Sequence, residues 1–309
     1  MEKSINALTK TKAPNVRRRK ELLFYTIMMA IPVVQVIIFY FIINLNSILL
    51  SLKSYSVMSG YTFVGFANFK KCFSDLFNEF SLISAFGNSM IAFGLQTLVM
   101  PWIAMLFSYY IYKNRFGGKL FNIFLFLPSI ISPLVITLIY KTILEDALPV
   151  YISEIFGKEV MPIYSENTMA ALFVYYFLMS FGTSVLLYSG AMAGIDTSVM
   201  EAADLDGATG LKGFIFVVFP LIYPTFVTFV TVGFATIFTN QLHLFSFERG
   251  EASPKNYTYG YYLYKNTIGQ GAETRYPYLA AMGIIFTFIA VPLTFASRYL
   301  LVKLGPSDK

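Results

Sequence analysis

Residues 194–208 read Gly194-Ile195-Asp196-Thr197-Ser198-Val199-Met200-Glu201-Ala202-Ala203-Asp204-Leu205-Asp206-Gly207-Ala208, and this short polar segment is the most informative part of the sequence. Ser198 with Glu201 three residues later fits a capping box, in which two side chains satisfy backbone donors of a first helical turn. Gly207 suits the left-handed conformation that ends a helix. The segment therefore predicts a short helix with both ends marked.

The segment lies between two apolar runs, each long enough to cross a bilayer as a helix of about 20 residues. Four further runs of this kind lie outward from it, and none alternates with period two as a β-barrel strand would. The six runs are 22–50, 85–112, 120–144, 168–193, 214–238 and 278–301. They predict an all-α integral membrane protein with six transmembrane helices. Prolines within most runs predict bends, at Pro32, Pro101, Pro128, Pro133, Pro220, Pro224 and Pro292.

The composition excludes an ordinary soluble domain. Of the 309 residues, 56% are hydrophobic and only 13% are charged, with a mean hydropathy of +0.62, whereas about a quarter of residues are charged in soluble domains. The net charge of +6 comes from Lys and Arg that flank the apolar runs, so it indicates topology and not nucleic-acid binding. A single cysteine, Cys72, and a single histidine, His243, exclude an internal disulfide and disfavour a Cys/His metal site.

The basic cluster Arg17-Arg18-Arg19-Lys20 sets the orientation of the first run. Because such clusters resist translocation, residues 1–21 are predicted to form a cytoplasmic basic N-terminal segment. The first run is too long for a cleaved signal peptide, so it is expected to stay as a helix. Six crossings then place both termini in the cytoplasm. Residues 22–309 are predicted to form one six-helix membrane domain, with loop 194–213 on its cytoplasmic side.

The loop carries a spaced pattern that continues into the fifth run. Glu201-Ala202-Ala203, three residues, Gly207, nine residues, Val217 and then Phe219-Pro220 resembles the E-A-A-x3-G-x9-I-x-L-P loop of ABC importer permeases. The Asp-Gly-Ala at 206–208 and Pro224 resemble the carbohydrate branch. These are the sugar and oligosaccharide permeases of the maltose-transporter type, which are inner membrane components of binding-protein-dependent transport. Val217 and Phe219 depart from the pattern but remain apolar.

Landmarks outside the loop extend the resemblance over most of the chain. Residues 65–69, Asn88 and Leu127-Pro128 are similar to the G-x-x-N-[FY], N-T and F-L-P landmarks of sugar permeases. Two places depart from that family. Tyr140-Lys141 stands where tryptophan is frequent, and residues 247–254 replace the outer T-x-G-G-P.

The resemblance implies a type I ABC importer permease in a bacterial plasma membrane, together with its assembly. The chain is expected to pair with a second homologous permease, as a heterodimer, and with two cytoplasmic ATPases and an extracytoplasmic solute-binding lipoprotein. The loop helix, with Glu201, Ala202, Ala203, Asp206 and Gly207, is expected to enter a groove on the ATPase. The chain lacks a G-x-x-x-x-G-K-[ST] loop. ATP and magnesium are therefore assigned to the ATPase, and this chain is expected to bind no cofactor and no metal and to have no catalytic residues.

The end of the fifth run supplies candidates for the substrate path. Residues 234–240 read Phe-Ala-Thr-Ile-Phe-Thr-Asn, which is similar to the F-A-x-N-x-N-N stretch of sugar permeases. Asn240 matches the last asparagine and is the leading candidate, because polar groups within a membrane are costly and suggest function. The alternative is that Asn240 only caps the outer end of the run. The weaker candidates are Thr236, Thr239, Ser180 and Thr183.

Other functions were weighed against a sugar permease. An ABC permease for an amino acid, phosphate or polyamine would share the spaced loop. An intramembrane enzyme is disfavoured, because no run contains paired carboxylates or a nucleophile with a base. A passive channel or receptor would leave the loop unexplained.

The remaining polar and aromatic residues are given structural interpretations. Tyrosines of the last outer loop are expected to form an interfacial belt in preference to a sugar-stacking platform: they are Tyr257, Tyr259, Tyr261, Tyr262 and Tyr264. His243 is interpreted as an exposed, inert loop residue, and Cys72 as structural.

Overall fold

The computed structural model describes residues 15–113, 116–157, 161–269 and 271–306. Residues 1–14 of the predicted N-terminal segment lie outside the described residues. The described chain is helical apart from one hairpin and its loops. The helices are α1 Asn15–Val36, α2 Ile43–Ser51, α3 Ala67–Asn78, α4 Phe80–Phe93, α5 Met100–Tyr112, α6 Gly118–Ile130, α7 Pro133–Thr142, α8 Leu148–Phe156, α9 Ile163–Glu166, α10 Thr168–Ala193, α11 Thr197–Leu205, α12 Leu211–Gly213, α13 Phe219–Ala235, α14 Leu244–Glu248, α15 Tyr259–Thr267 and α16 Tyr276–Leu304.

Within the described residues, five helices are long and apolar enough to cross a membrane. They match the first, second, fourth, fifth and sixth predicted runs, and we name them spans accordingly: Arg18–Ser51, Phe80–Tyr112, Thr168–Ala193, Leu211–Ala235 and Tyr276–Leu304. Short π-helical segments join the α-helical parts of the first, second and fifth spans, at Ile37–Ile42, Gly94–Val99 and Phe214–Val218. The all-α membrane architecture is confirmed, while the orientation of the termini stays a prediction.

The third predicted run is not one helix. Helix α6 ends at Ile130, Ile131 and Ser132 have extended ψ values of 143° and 129°, and α7 begins at Pro133. The physical reason is Pro133, which has no N–H to donate and disfavours the helical conformation of the residue before it. The run therefore consists of two helices that meet at a non-helical link. Beyond α7, a π-helical segment at Ile143–Ala147 continues into α8.

Two of the landmark asparagines hold the segments between the spans. Strands β1 (Lys53–Ser56) and β2 (Gly60–Phe63) pair antiparallel, with Lys53 opposite Phe63 and Ser56 opposite Gly60. Asn68 donates hydrogen bonds to the carbonyl oxygens of Ser51 and Lys53, at 2.8 and 2.7 Å, and so fixes the hairpin to the end of the first span.

The second landmark asparagine, Asn88, performs the same task for the last long loop. Its amide donates to the carbonyl oxygens of Lys255 and Tyr257, at 2.9 and 2.8 Å, across more than 160 residues of sequence. Asn88 therefore anchors residues 255–257 to the second span.

Buried side chains form two hydrophobic cores. One core joins the second, fourth and sixth spans to the last long loop, and the other lies beside loop 194–213, among α5, α10 and the fifth span. Tyr257, Tyr259 and Tyr261 lie inside the first core, with Tyr261 fully buried. The interfacial-belt interpretation is therefore wrong for these three residues, because their rings pack on one another and on Phe286 instead of facing outward.

Candidate functional site

Helix α11 of loop 194–213 begins with a different cap from the predicted one. Its N-cap is Asp196, whose carboxylate accepts a hydrogen bond from the backbone N–H of Ser198 at 2.9 Å. This hydrogen bond lowers the pKa of the Asp196 carboxyl. The predicted capping box of Ser198 and Glu201 is wrong, because the helix starts at Thr197 and Ser198 already lies inside its first turn.

The other end of α11 is closed as predicted. Gly207 has a φ of +75°, in the left-handed region that glycine adopts without steric cost. Its N–H donates to the carbonyl of Asp204 at 3.2 Å, and the N–H of Ala208 donates to the carbonyl of Ala203 at 2.8 Å. These two bonds form a Schellman motif, which satisfies the last carbonyls of the helix. Both ends of α11 are therefore fixed.

The faces of α11 divide the five motif residues into two groups. Met200 and Ala203, three residues apart, are each only 7% exposed, and Met200 packs into the second core. Glu201, Ala202, Asp206 and Gly207 are exposed. Ala203 thus faces its own chain, and a partner that docks on α11 meets the opposite face.

Leu205 completes that opposite face, although it belongs to no motif in the sequence. Its side chain is 89% exposed, although leucine outside a bilayer is usually covered. Leu205 lies one helical turn after Glu201, so the two share a face. The spacing of four residues between Glu201 and Leu205 could have identified Leu205 from the sequence, because it places both residues on the helix face opposite positions 200 and 203. We name Glu201, Ala202 and Leu205 the docking face.

Helix α11 is seated on the end of the second span. The ammonium of Lys113 lies 3.2 and 3.1 Å from the two carboxylate oxygens of Asp204. Nearby, the hydroxyl of Tyr109 donates to the carbonyl of Gly210 at 3.0 Å. These contacts join residues that are 91 and 101 positions apart in the sequence. Contacts over such a sequence distance cannot be predicted from a local sequence pattern.

The second candidate region surrounds Asn240, just after the fifth span. The Asn240 amide donates to the hydroxyl of Tyr176 at 2.7 Å and approaches the Gln96 side-chain oxygen at 3.4 Å. The Asn240 side-chain oxygen accepts from the N–H of Leu242 at 2.9 Å. Ser180, one turn further along the fourth span, lies close to the Tyr176 hydroxyl. We name Asn240, Tyr176, Gln96 and Ser180 the Asn240 cluster.

The Asn240 cluster brings together residues that are far apart in the sequence. It joins the second and fourth spans to the segment after the fifth, and Gln96 is exposed, so the cluster is open on one side. Its side chains carry hydrogen-bond donors and acceptors without a charged group. Gln96 and Tyr176 were missed, because single polar residues within apolar runs have no recognisable pattern.

The threonine candidates lie outside the cluster's hydrogen bonds. The hydroxyl of Thr236 donates to the carbonyl of Val232 at 3.0 Å, and that of Thr239 donates to the carbonyl of Thr236 at 3.1 Å. Bonds of this kind, to a backbone carbonyl three or four residues earlier in the chain, are common for threonine. Thr183 is exposed on the fourth span.

The exposed face of α13 nevertheless differs from that of α16. Successive turns of α13 expose Pro224, Thr228, Val232 and Thr236, which are small or hydroxylated. The exposed face of α16 instead carries Phe288, Phe295 and Tyr299. Lipid is well matched by large apolar side chains, whereas small residues permit close helix contact. The α13 face is therefore suited to a partner helix or an aqueous path.

The two departures from the family pattern contact each other. Glu248, in the stretch that replaces T-x-G-G-P, lies 3.6 Å from the ammonium of Lys141, in the pair that replaces tryptophan. Tyr164 donates a hydrogen bond to the same carboxylate and stacks on Phe247. Burial and the hydrogen bond to Glu248 raise the pKa of Tyr164. These contacts connect α7, α9 and α14.

His243, just before α14, is partly buried, and Cys72, within α3, is fully buried. The His243 ring packs edge to face on Tyr175, with 5.7 Å between ring centroids, and burial lowers the pKa of His243. The interpretation of His243 as exposed is therefore wrong. Cys72 is fully buried, donates to the carbonyl of Tyr278 at 3.4 Å, and has its pKa raised to about 12 by burial. A structural role for Cys72 agrees with this placement.

The chain matches a known family and has similar relatives. Residues 102–305 match the family described as "Binding-protein-dependent transport system inner membrane component". The arabinooligosaccharides transport system permease protein of Halalkalibacterium halodurans is 24% identical over 250 residues, which cover 78% of this chain and 76% of the relative. The lactose transport system permease protein of Rhizobium radiobacter is 26% identical over 236 residues, which cover 72% and 77%.

Solved structures share the fold. A bacterial ABC transporter involved in the import of the acidic polysaccharide alginate contains a chain that superposes with a TM-score of 0.71 at 19% identity. The superposition covers 95% of this chain and 100% of the other. The alginate transporter in complex with its alginate pentasaccharide-bound periplasmic protein gives 0.71 at 20% identity, over 94% and 98%. At this level of identity the likeness establishes the architecture of the membrane helices.

Proposed function

Because the chain belongs to the family of binding-protein-dependent transport system inner membrane components, we propose that it is one permease subunit of an ATP-driven bacterial importer for a sugar or oligosaccharide. The observation that carries this proposal is α11. It is a helix capped at both ends, it lies between two spans, and it presents the docking face of Glu201, Ala202 and Leu205 away from its own core. A rigid, exposed helix at this position can bind another protein and move with it.

The choice of a sugar rests on the relatives and on the Asn240 cluster. The two relatives described above are named for arabinooligosaccharides and lactose. The cluster offers amide and hydroxyl groups, and a sugar hydroxyl both donates and accepts hydrogen bonds. These four side chains are uncharged, which favours a neutral solute.

A second candidate is a permease for a phosphorylated solute. The sn-glycerol-3-phosphate transport system permease protein of Yersinia pestis is 24% identical over 165 residues, about half of each chain. A phosphate group is usually held by Arg, Lys or a helix N-terminus. Since the Asn240 cluster has no cationic side chain, we rank this candidate second.

The proposed assembly places the remaining functions on partner proteins. Two cytoplasmic ATPases would bind ATP and magnesium and hydrolyse ATP, with α11 in contact with one of them, so this chain is the transport subunit and not the enzyme. A second permease would cover the small and hydroxylated face of α13. An extracytoplasmic binding lipoprotein would deliver the sugar. In this arrangement both termini and loop 194–213 are cytoplasmic.

Uptake by the purified assembly tests the proposal. The chain is purified with its partner subunits and binding protein, reconstituted in proteoliposomes, and supplied with labelled arabinooligosaccharide, lactose or glycerol-3-phosphate, with and without internal ATP. Saturable uptake of a neutral sugar only in the presence of ATP is the expected result. Uptake of glycerol-3-phosphate alone would support the second candidate, and uptake independent of ATP would contradict an ABC importer.

A further inference from the structure

The second span connects the two candidate regions. Phe80–Tyr112 is one helix, Lys113 follows its last residue, and Gln96 lies near its middle. Lys113 pairs with Asp204 of α11, whereas Gln96 meets Asn240. At 1.5 Å per residue, the 17 positions between Gln96 and Lys113 correspond to about 25 Å of helix. One helix therefore touches both α11 and the Asn240 cluster.

The contact between the second span and α11 has three parts. Lys113 approaches both carboxylate oxygens of Asp204, at 3.2 and 3.1 Å. Tyr109, one turn earlier, donates to the carbonyl of Gly210 at 3.0 Å. Met200 of α11 belongs to the same buried core as Tyr109. A displacement of α11 therefore acts on the end of the second span through ionic, hydrogen-bonding and apolar contacts together.

Near the Asn240 cluster, the second span packs closely against the fifth span. Gln96 lies in the π-helical segment Gly94–Val99, and such segments often occur at functional positions. Thr97 in the same segment is buried against Gly233 of the fifth span, where an added Cβ would lie only 2.2 Å from the threonine hydroxyl oxygen. The second span cannot shift here without moving the fifth span, which leads directly to Asn240.

We propose that the second span is the lever that transmits movement of α11 to the Asn240 cluster, and that the Lys113–Asp204 pair is the contact through which α11 engages it. This inference rests on the proposed function, since it assumes that an ATPase moves α11. Because packed helices move as rigid bodies, a displacement of one end of a helix also displaces its other end. Lys113 and Asp204 are positioning residues, because neither lies at the Asn240 cluster.

The exposure of the pair determines the size of the expected effect. The side chains of Lys113 and Asp204 are 22% and 46% exposed, and ion pairs of this kind contribute little to folding. Removing one partner should therefore leave the complex intact. The loss of transmission is expected to be about two- to fivefold, which corresponds to the upper part of the range for exposed pairs.

The test measures how far sugar-loaded binding protein stimulates ATP hydrolysis by the reconstituted assembly. Lys113→Gln and Asp204→Asn should each reduce this stimulation about two- to fivefold. The double exchange Lys113→Asp with Asp204→Lys should restore it. Lys303→Gln is the matched control, because Lys303 lies in the last turn of the sixth span and contacts the ring of Tyr299 instead of α11.

Two outcomes would overturn the inference. In the first, the two single variants keep wild-type stimulation. In the second, they lose stimulation and the double exchange does not restore it. Cross-linking of a cysteine at Leu205 to the ATPase, measured in the same variants, keeps this result separate from the proposed function. If the cross-link forms in every variant, docking stands whatever the stimulation assay shows. If it fails to form with wild-type Lys113 and Asp204, the proposed function itself is in error.

Discussion

Replacing Asn240 by alanine separates a role in sugar binding from a role in folding. The substitution removes the donor to Tyr176 and the acceptor for the Leu242 N–H. If the Asn240 amide turns to a sugar hydroxyl during transport, the lost hydrogen bond leaves a partner unpaired, at a cost of about 1 to 3 kcal/mol. That range corresponds to a rise of roughly 5- to 150-fold in the sugar concentration for half-maximal uptake.

The structure also predicts a stability effect, and a second variant isolates it. Leu242 has a φ of +51°, an uncommon conformation for leucine, and the Asn240 side-chain oxygen supports the turn by accepting its N–H. Asn240→Asp keeps this acceptor but removes the amide donor. We expect aspartate to preserve the yield of the complex and still raise the half-saturation concentration. Thr287→Ala serves as the control, because Thr287 is exposed on the sixth span and its hydroxyl donates to the carbonyl of Gly283 in the same helix.

The assay is sugar-dependent uptake and sugar-stimulated ATP hydrolysis by the reconstituted assembly, measured over a range of sugar concentrations and normalised to complex yield. An unchanged half-saturation concentration in both Asn240 variants would refute the binding role. Asn240 would then be a residue that only holds the turn after the fifth span.

The remaining predictions concern the caps of α11 and one histidine. Asp196→Ala should remove the N-cap of α11 and speed hydrogen exchange over Thr197–Leu205, whereas Asp196→Asn should retain the cap. Gly207→Ala should cost about 1 kcal/mol through its left-handed backbone alone, since nothing lies within 4 Å of the added Cβ, and uptake should fall at normal membrane levels, with Gly207→Asn milder. Because burial lowers the pKa of His243 from its ordinary 6.5, its contribution to stability is complete above pH 6.5 and is lost as the pH falls below it. Thermal unfolding should show this loss, and His243→Asn, which tolerates the φ of +54°, should reduce it.

The parts of the fold that depend on local pattern could be predicted from the sequence. Five apolar runs became continuous helices, because hydrophobic length alone determines whether a helix can cross a bilayer. The left-handed Gly207 followed from its place after a polar helix. The cap was misassigned by two residues, because Asp196 and Ser198 are both good N-cap residues and only the chain direction before the helix selects between them.

The parts that depend on distant contacts could not be predicted. To predict the break at Ile131 and Ser132, one would have to know which of the many prolines interrupts a helix, since the helices accommodate most of them. The burial of Tyr261 depends on the packing of the last loop against the second span, since a tyrosine has the same sequence signal in a belt and in a core. Gln96 became a candidate only through its contact with Asn240, 144 residues away.

Cysteine cross-linking along α11 shows directly whether this helix docks on the ATPase through its exposed face. Single cysteines replace Met200, Glu201, Ala202, Ala203 and Leu205 in turn, and each variant is oxidised in the assembled complex with a cysteine in the groove of the ATPase. We expect cross-links at positions 201, 202 and 205, on the docking face, and weak or absent cross-links at the buried positions 200 and 203. Equal cross-linking at all five positions, or none at the docking face, would contradict this expectation.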